Sequence, residues 1–284
     1  MKVRKNIELE SKSQKPVLID LFYKKNQEQK NIIIFCHGYK GFKDWGAWDL
    51  VAEDFAKNNF FFIKINFSHN GGTVEQPIDF PDLEAFGNNN FTKELDDLEA
   101  VIEWVIQNKE IREEVDIENI SLIGHSRGGA IVLIKAQENS NISQVSTWAG
   151  VSDFKSRFPS GEVLQDWKNN GVVYIENART KQKMPHYIQF YDNFKENEYR
   201  LNIKNAVQNL NIPYLVIHGS NDETVSIEEA NNLYSWNSNN QIHIVENANH
   251  TFNSKHPWER NVLPDNLEKA VNATIQFISP SNNK

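Results

Sequence analysis

The pentapeptide Gly124-His125-Ser126-Arg127-Gly128 lies between an apolar run, residues 119–123, and a helix-like run, residues 129–137. That order imposes a strand, a sharp reversal and a helix in immediate succession. At so tight a turn the central residue takes a strained backbone conformation, and glycines two positions to either side let strand and helix cross. Ser126 is therefore the candidate nucleophile, with Gly124 and Gly128 as its supports. Taken alone, the pentapeptide is equally compatible with a solvated serine in a glycine-rich turn, so the rest of the chain has to decide.

A serine hydroxyl is a poor nucleophile at neutral pH and needs an imidazole to take its proton and a carboxylate to orient that imidazole. Both are found further along, each after an apolar run. Residues 212–218 read as a buried strand that runs into Gly219-Ser220-Asn221-Asp222-Glu223, where Asp222 is the candidate acid and Glu223 and Asp153 are alternatives. Residues 241–245 read as the last strand and open into a loop that carries His250, the candidate base. His256 is its competitor, while His125, His218 and His243 read as packed rings. His37-Gly38 follows the first core strand, and His37 is expected to hold that loop by hydrogen bonds.

These four motifs, His37-Gly38, the Ser126 turn, His218-Gly219-Ser220-Asn221-Asp222 and Asn249-His250, resemble the α/β-hydrolase family over residues 31–277. Within it the chain is most similar to small esterases related to dienelactone hydrolases and cinnamoyl (feruloyl) esterases, and to the catalytic domain of prolyl-oligopeptidase-type acyl peptidases. The resemblance implies a serine hydrolase that cleaves a carboxylic ester through an acyl-enzyme intermediate. It assigns Ser126, His250 and Asp222 as the triad and the backbone N–H groups of Tyr39 and Arg127 as the oxyanion hole. The same fold also serves amides, thioesters and acyl peptides. A non-catalytic binding protein is the alternative from a different class.

The remaining sequence bounds the architecture. Apolar runs at residues 32–36, 60–67, 121–124 and 144–149 alternate with amphipathic stretches at 45–57 and 91–107, which predicts a mostly parallel, doubly wound sheet. Two shorter runs, 5–10 and 17–23, predict an antiparallel hairpin at its edge. One domain spanning residues 1–284 is expected, with residues 150–200 as a small cap or lid that contains a hairpin over 171–185. Phe154, Phe158, Trp167, Tyr187, Phe190, Tyr191 and Phe194 give this cap the apolar surface a ligand pocket needs. Residues 68–90 lack periodicity and are expected to border the active site. The Asn-rich tail, residues 281–283, is expected to fray.

A net charge of -8 argues against nucleic-acid and anionic-membrane partners, which are bound through clustered Lys and Arg. With one cysteine, Cys36, no intramolecular disulfide can form, and Cys36 reads as a small buried hydrophobe. No signal peptide is read in residues 1–10 and no run approaches the ~18 apolar residues of a membrane span, so a cytoplasmic location is expected. Metal-ligand spacing, Gly-x-Gly-x-x-Gly and the P-loop pattern are absent. The expectation is thus a small-molecule ester or acyl substrate and no cofactor.

Overall fold

A computed structural model describes residues 1–26 and 28–279; the tail expected to fray lies outside them. In chain order the strands are β1 (Lys2–Leu9), β2 (Val17–Tyr23), β3 (Lys30–Cys36), β4 (Phe61–Asn66), β5 (Val115–His125), β6 (Ile142–Trp148), β7 (Val172–Glu176), β8 (Lys183–Tyr187), β9 (Tyr214–Gly219) and β10 (Asn240–Val245). The helices are α1 (Trp48–Lys57), α2 (Leu83–Gly87), α3 (Phe91–Gln107), α4 (Arg127–Glu138), α5 (Gly161–Asn170), α6 (Gln189–Glu196), α7 (Ile203–Gln208), α8 (Ile227–Ser235) and α9 (Asp265–Ile278). None of these helices is long and apolar enough to cross a membrane.

Eight strands form one sheet in the order β1-β2-β4-β3-β5-β6-β9-β10. Only β2 runs against its neighbours, so the hairpin of β1 and β2 sits at the edge of an otherwise parallel sheet. Successive residues of a strand face opposite ways, and here both ways are covered. Ile32 and Ile34 of β3 pack with Leu98 of α3 and Ile131 of α4. Ile33 and Phe35 pack with Phe55 of α1 and Val271 of α9. This double coverage explains why the central strands read as continuous apolar runs. It also accounts for β2, which is buried at all seven positions, because Val17, Ile19 and Leu21 join the first of these clusters and Phe22 the second, beside Phe55 of α1.

Residues 150–200 hold a short 3-10 turn (Lys155–Arg157), α5, the antiparallel pair β7 and β8, and α6. Residues 68–90 differ from expectation. They carry α2, capped by the Asp82 carboxylate accepting from the Ala85 N–H at 2.8 Å, and their Phe80 and Phe86 bury against Phe42 and Met184. The segment thus supports β8 from beneath, and Phe91, just beyond it, is the residue that reaches the pocket wall.

Candidate active site

Ser126 occupies the turn between β5 and α4 at φ 56° and ψ -120°. A non-glycine residue in such a conformation costs on the order of 1–3 kcal/mol and persists only where its surroundings dictate it. They do so here: the Ser126 N–H donates to the Trp148 carbonyl at 2.9 Å, and the Ser126 carbonyl accepts from the Gly129 N–H at 3.0 Å. The neighbouring glycines are required by contact. A Cβ on Gly124 would lie 2.2 Å from the Gly128 carbonyl oxygen, and one on Gly128 would lie 2.5 Å from the carbonyl oxygens of Cys36 and His37. A Cβ on Gly38 would lie 2.7 Å from that of Ser126.

His250 and Asp222 meet Ser126 from the turns after β10 and β9. His250 Nε2 lies 3.0 Å from Ser126 Oγ, and His250 Nδ1 lies 2.8 Å from Asp222 Oδ2. The other carboxylate oxygen of Asp222 accepts from the N–H groups of Thr224 (2.8 Å) and Val225 (2.9 Å). Burial opposes the charge on Asp222, but the hydrogen bond and charge of His250, together with those two amides, outweigh it and hold the carboxyl below its usual range. His125 Nε2 lies 2.8 Å from the His250 carbonyl oxygen, and burial lowers His125 to about 3, so it is neutral and donates there. His218, read from sequence as a packed ring, has its Nε2 2.8 Å from the Val225 carbonyl oxygen and 3.4 Å from Asp222.

The alternatives lie elsewhere. Glu223 is exposed, and Asp153 caps the 3-10 turn by accepting from the N–H groups of Lys155 and Ser156. His256 accepts the Gly46 N–H at 2.9 Å and stacks on Trp45. Cys36 is buried in the core.

The N–H groups of Tyr39 and Arg127 have no protein acceptor among the described residues, and Gly38 and Ser126, the residues before them, are in contact. His37, lowered to about 4 chiefly by burial, has its Nδ1 2.9 Å from the Gly38 carbonyl oxygen. Beyond this the loop is pinned by a network that sequence reasoning missed. Lys43 Nζ pairs with Asp20 at 2.9 Å, the Lys43 N–H donates to Asn66 at 2.6 Å, and Lys64 Nζ donates to the Lys43 carbonyl at 3.0 Å and to Asp44 at 2.6 Å. The carboxylates of Asp20, Asp44 and Asp49 converge closely enough to suggest a cation. The ammonium groups of Lys43 and Lys64 already fill that role, so the donor set does not fit a metal.

Ser126 opens onto a cavity of about 810 Å³ walled by Phe91, Phe154, Phe158, Trp167 and Phe190. Of the other aromatics, Phe194 is buried behind Phe158, Tyr191 flanks Phe158, and Tyr187 points outward to donate to Glu84 at 2.5 Å. The polar groups on this wall carry no local sequence signal. Tyr39 Oη lies 2.6 Å from His186 Nε2, and the His186 carbonyl accepts from Trp167 Nε1 at 2.8 Å. Arg157 pairs with Glu229 at 2.5 Å, and Arg127 with Glu94 at 3.2 Å. A smaller cavity of about 130 Å³, lined by Trp45, Trp48 and His250, reaches Ser126 from another direction.

Comparison with known proteins agrees with this architecture. Est1E from Butyrivibrio proteoclasticus, whose structure has also been solved with ferulic acid bound, superposes with a TM-score of 0.70 at 15% identity, covering 97% of this chain and 98% of that one. A puromycin-hydrolyzing peptidase of Mycobacterium tuberculosis superposes with a TM-score of 0.66 at 14% identity, covering 98% of this chain and 39% of that one. These likenesses show the fold. A Mycoplasma genitalium protein provisionally named esterase/lipase 2 is 25% identical over 114 residues, 40% of this chain, so the match spans about a third (35%) of that curated relative's length. The family model described as BD-FAE matches residues 19–237, most of the chain, and the protein with this α/β-hydrolase fold belongs to that family.

Proposed function

We propose that the protein is a serine hydrolase that cleaves a carboxylic ester through an acyl-enzyme intermediate. The observation that carries this reading is the relay from Ser126 Oγ through His250 to Asp222, at 3.0 and 2.8 Å, in the wall of an aromatic cavity. Ser126 Oγ attacks the ester carbonyl while His250 Nε2 takes its proton. Asp222, held ionised by its amide donors, stabilises the imidazolium without taking the proton itself. The carbonyl oxygen, now an oxyanion, receives hydrogen bonds from the free N–H groups of Tyr39 and Arg127, each worth on the order of 3 kcal/mol in the transition state. The imidazolium returns its proton to the departing alkoxide, and the bond from carbonyl carbon to alkoxy oxygen breaks. A water molecule, deprotonated by the same imidazole, then releases the acid and restores Ser126.

The substrate is a small molecule with an apolar half that the aromatic cavity accepts, and residues 150–200 act as a cap that chooses it. The esterase names among the relatives and the ferulic acid bound to Est1E support this choice of substrate class. Amide cleavage uses the same atoms, and the similarity to a puromycin-hydrolyzing peptidase favours it as the second reading. A fluorophosphonate probe followed by p-nitrophenyl esters, feruloyl esters and aminoacyl anilides tests both. Labelling at Ser126 with ester turnover is expected. Faster anilide turnover moves the assignment to the second reading, and a folded protein that takes no label refutes both.

A further inference from the structure

Arg127 does two separable things. Its backbone N–H serves the proposed oxyanion hole, while its side chain turns into the aromatic cavity. There the guanidinium carbon lies 4.5 Å from the ring centroid of Tyr39, 5.3 Å from that of Phe190 and 5.4 Å from that of Phe91. Stacked ring faces hold a guanidinium in place but leave the N–H bonds in its plane unanswered. A guanidinium is always charged and carries five such bonds. One of them reaches Glu94 Oε1 at 3.2 Å, in a single rather than a forked contact, and among the described residues the other four have no protein acceptor. The side chain lines the cavity, so those donors have somewhere to point.

We infer that the Arg127 side chain is the specificity-determining cation of the pocket, and that the preferred substrate is a half-ester of a short dicarboxylic acid, its free carboxylate bound by Arg127. This inference rests on the pocket being the substrate site, as proposed above. Two features favour an anion over a neutral acceptor. The donors form a planar fork that matches a carboxylate. The apolar rings of Tyr39, Phe91 and Phe190 around the guanidinium lower the local dielectric, and that strengthens a charged hydrogen bond.

Glu94 supplies the means of testing it. Glu94 is buried, and its Oε1 accepts from both Arg127 and Asn89, whereas its Oε2 has no partner among the described residues. Glu94→Gln can therefore keep both hydrogen bonds on the retained oxygen while removing the negative charge that competes with a substrate carboxylate. Arg127→Gln removes the cation. Both changes break the same ion pair, so a purely structural role for that pair moves the two variants alike, and a binding role moves them in opposite directions.

The measurement is calorimetric titration of Ser126→Ala protein, which binds without cleaving, with monomethyl and dimethyl succinate, glutarate and adipate. In that background at least one half-ester should bind about tenfold to a hundredfold tighter than its diester, the range typical of a charge-assisted hydrogen bond. Adding Arg127→Gln should erase the preference, Arg127→Lys should retain part of it, and Glu94→Gln should enlarge it. Thermal melts establish that each variant is folded, and the Lys variant keeps the test decisive if Gln at either site fails to fold. Equal affinity for half-esters and diesters, or parallel shifts in Arg127→Gln and Glu94→Gln, overturns the inference. Fluorophosphonate labelling of the wild type reports on Ser126 independently, so loss of the hydrolase reading and loss of this one are told apart.

Discussion

Asp222 and Ser126 are held by main-chain atoms, the first by two amide donors in its own turn and the second by hydrogen bonds at both its N–H and its carbonyl. The segment that faces them, residues 150–200, is tied to the rest of the molecule largely through side chains. Tyr39 meets His186, Gln182 donates to the Phe80 carbonyl at 3.0 Å, Arg179 pairs with Asp79, and Tyr187 reaches Glu84. In α5 only Trp167 is buried, and Tyr174 of β7 is 60% exposed. The relay groups are thus fixed by main-chain atoms at strand ends, and the cavity wall by side-chain contacts across the molecule. A segment held by side chains can be rebuilt without disturbing the strand ends beneath it.

The largest test of that division is Ser126→Ala. If the sheet side does the chemistry, ester turnover should fall by at least about a thousandfold, the loss typical of a disabled triad, with the melting temperature little changed. Turnover near wild type would place the chemistry elsewhere. His250→Ala should cost nearly as much, because members of a triad act as a unit. His256→Ala should stay within about threefold, since that ring holds the Gly46 N–H rather than Ser126. Steady-state kinetics of the two His variants rank them, and the reverse order would move the base.

A smaller effect is expected across the cavity. Val173 and Ile175 of β7 line it without touching the relay, so truncating both to Ala widens the pocket wall. Preference along a series of p-nitrophenyl esters should move toward longer acyl chains by about tenfold, the scale of a methylene or two in an apolar pocket. Fluorophosphonate labelling of Ser126 should keep its rate. An unchanged preference would mean that β7 is packing and that selectivity resides in Phe91, Phe154 and Phe190.

What was legible from sequence is what neighbouring residues dictate, and what was not depends on partners brought together by folding. The turn at Ser126 was readable because its requirement is local: Gly124 and Gly128 are each demanded by an atom only a few residues away or on the adjoining strand. Asp222 and His250 were readable because each follows directly on a strand whose apolar run announces its end. The position of residues 68–90 was not readable, because Phe80 and Phe86 find their burial partner, Met184, about a hundred residues later. Glu94, His186 and Glu229 carry no mark of their roles until folding sets them beside Arg127, Tyr39 and Arg157. Lys64 is the plainest case. It lies within an apolar strand yet is wholly buried, and its partner Asp20 faces it in register from the neighbouring strand.

The smallest predicted effect concerns pH and separates the two regions by titration. Burial, with the charges of Arg127 and Lys40 behind it, lowers His186 from 6.5 to about 4, so the ring is neutral where it meets Tyr39. When β8 lifts away, the ring regains its ordinary affinity for a proton. Between pH 6.5 and 4 the open form therefore binds more protons than the closed one, and closure, fully stable above 6.5, weakens as pH falls toward 4. His37 and His125 are lowered too, to about 4 and 3, but they lie under the strand ends and gain protons only when the whole domain unfolds. Hydrogen-exchange protection of β7 and β8, corrected for intrinsic rate, should drop a few-fold from pH 6.5 to 5.5 while β5 and β9 hold theirs. His186→Gln, which cannot take the proton, should flatten the response of β7 and β8. If the variant and the wild type respond alike, or if β5 loosens in step with β8, then the two regions open together and the contrast between them fails.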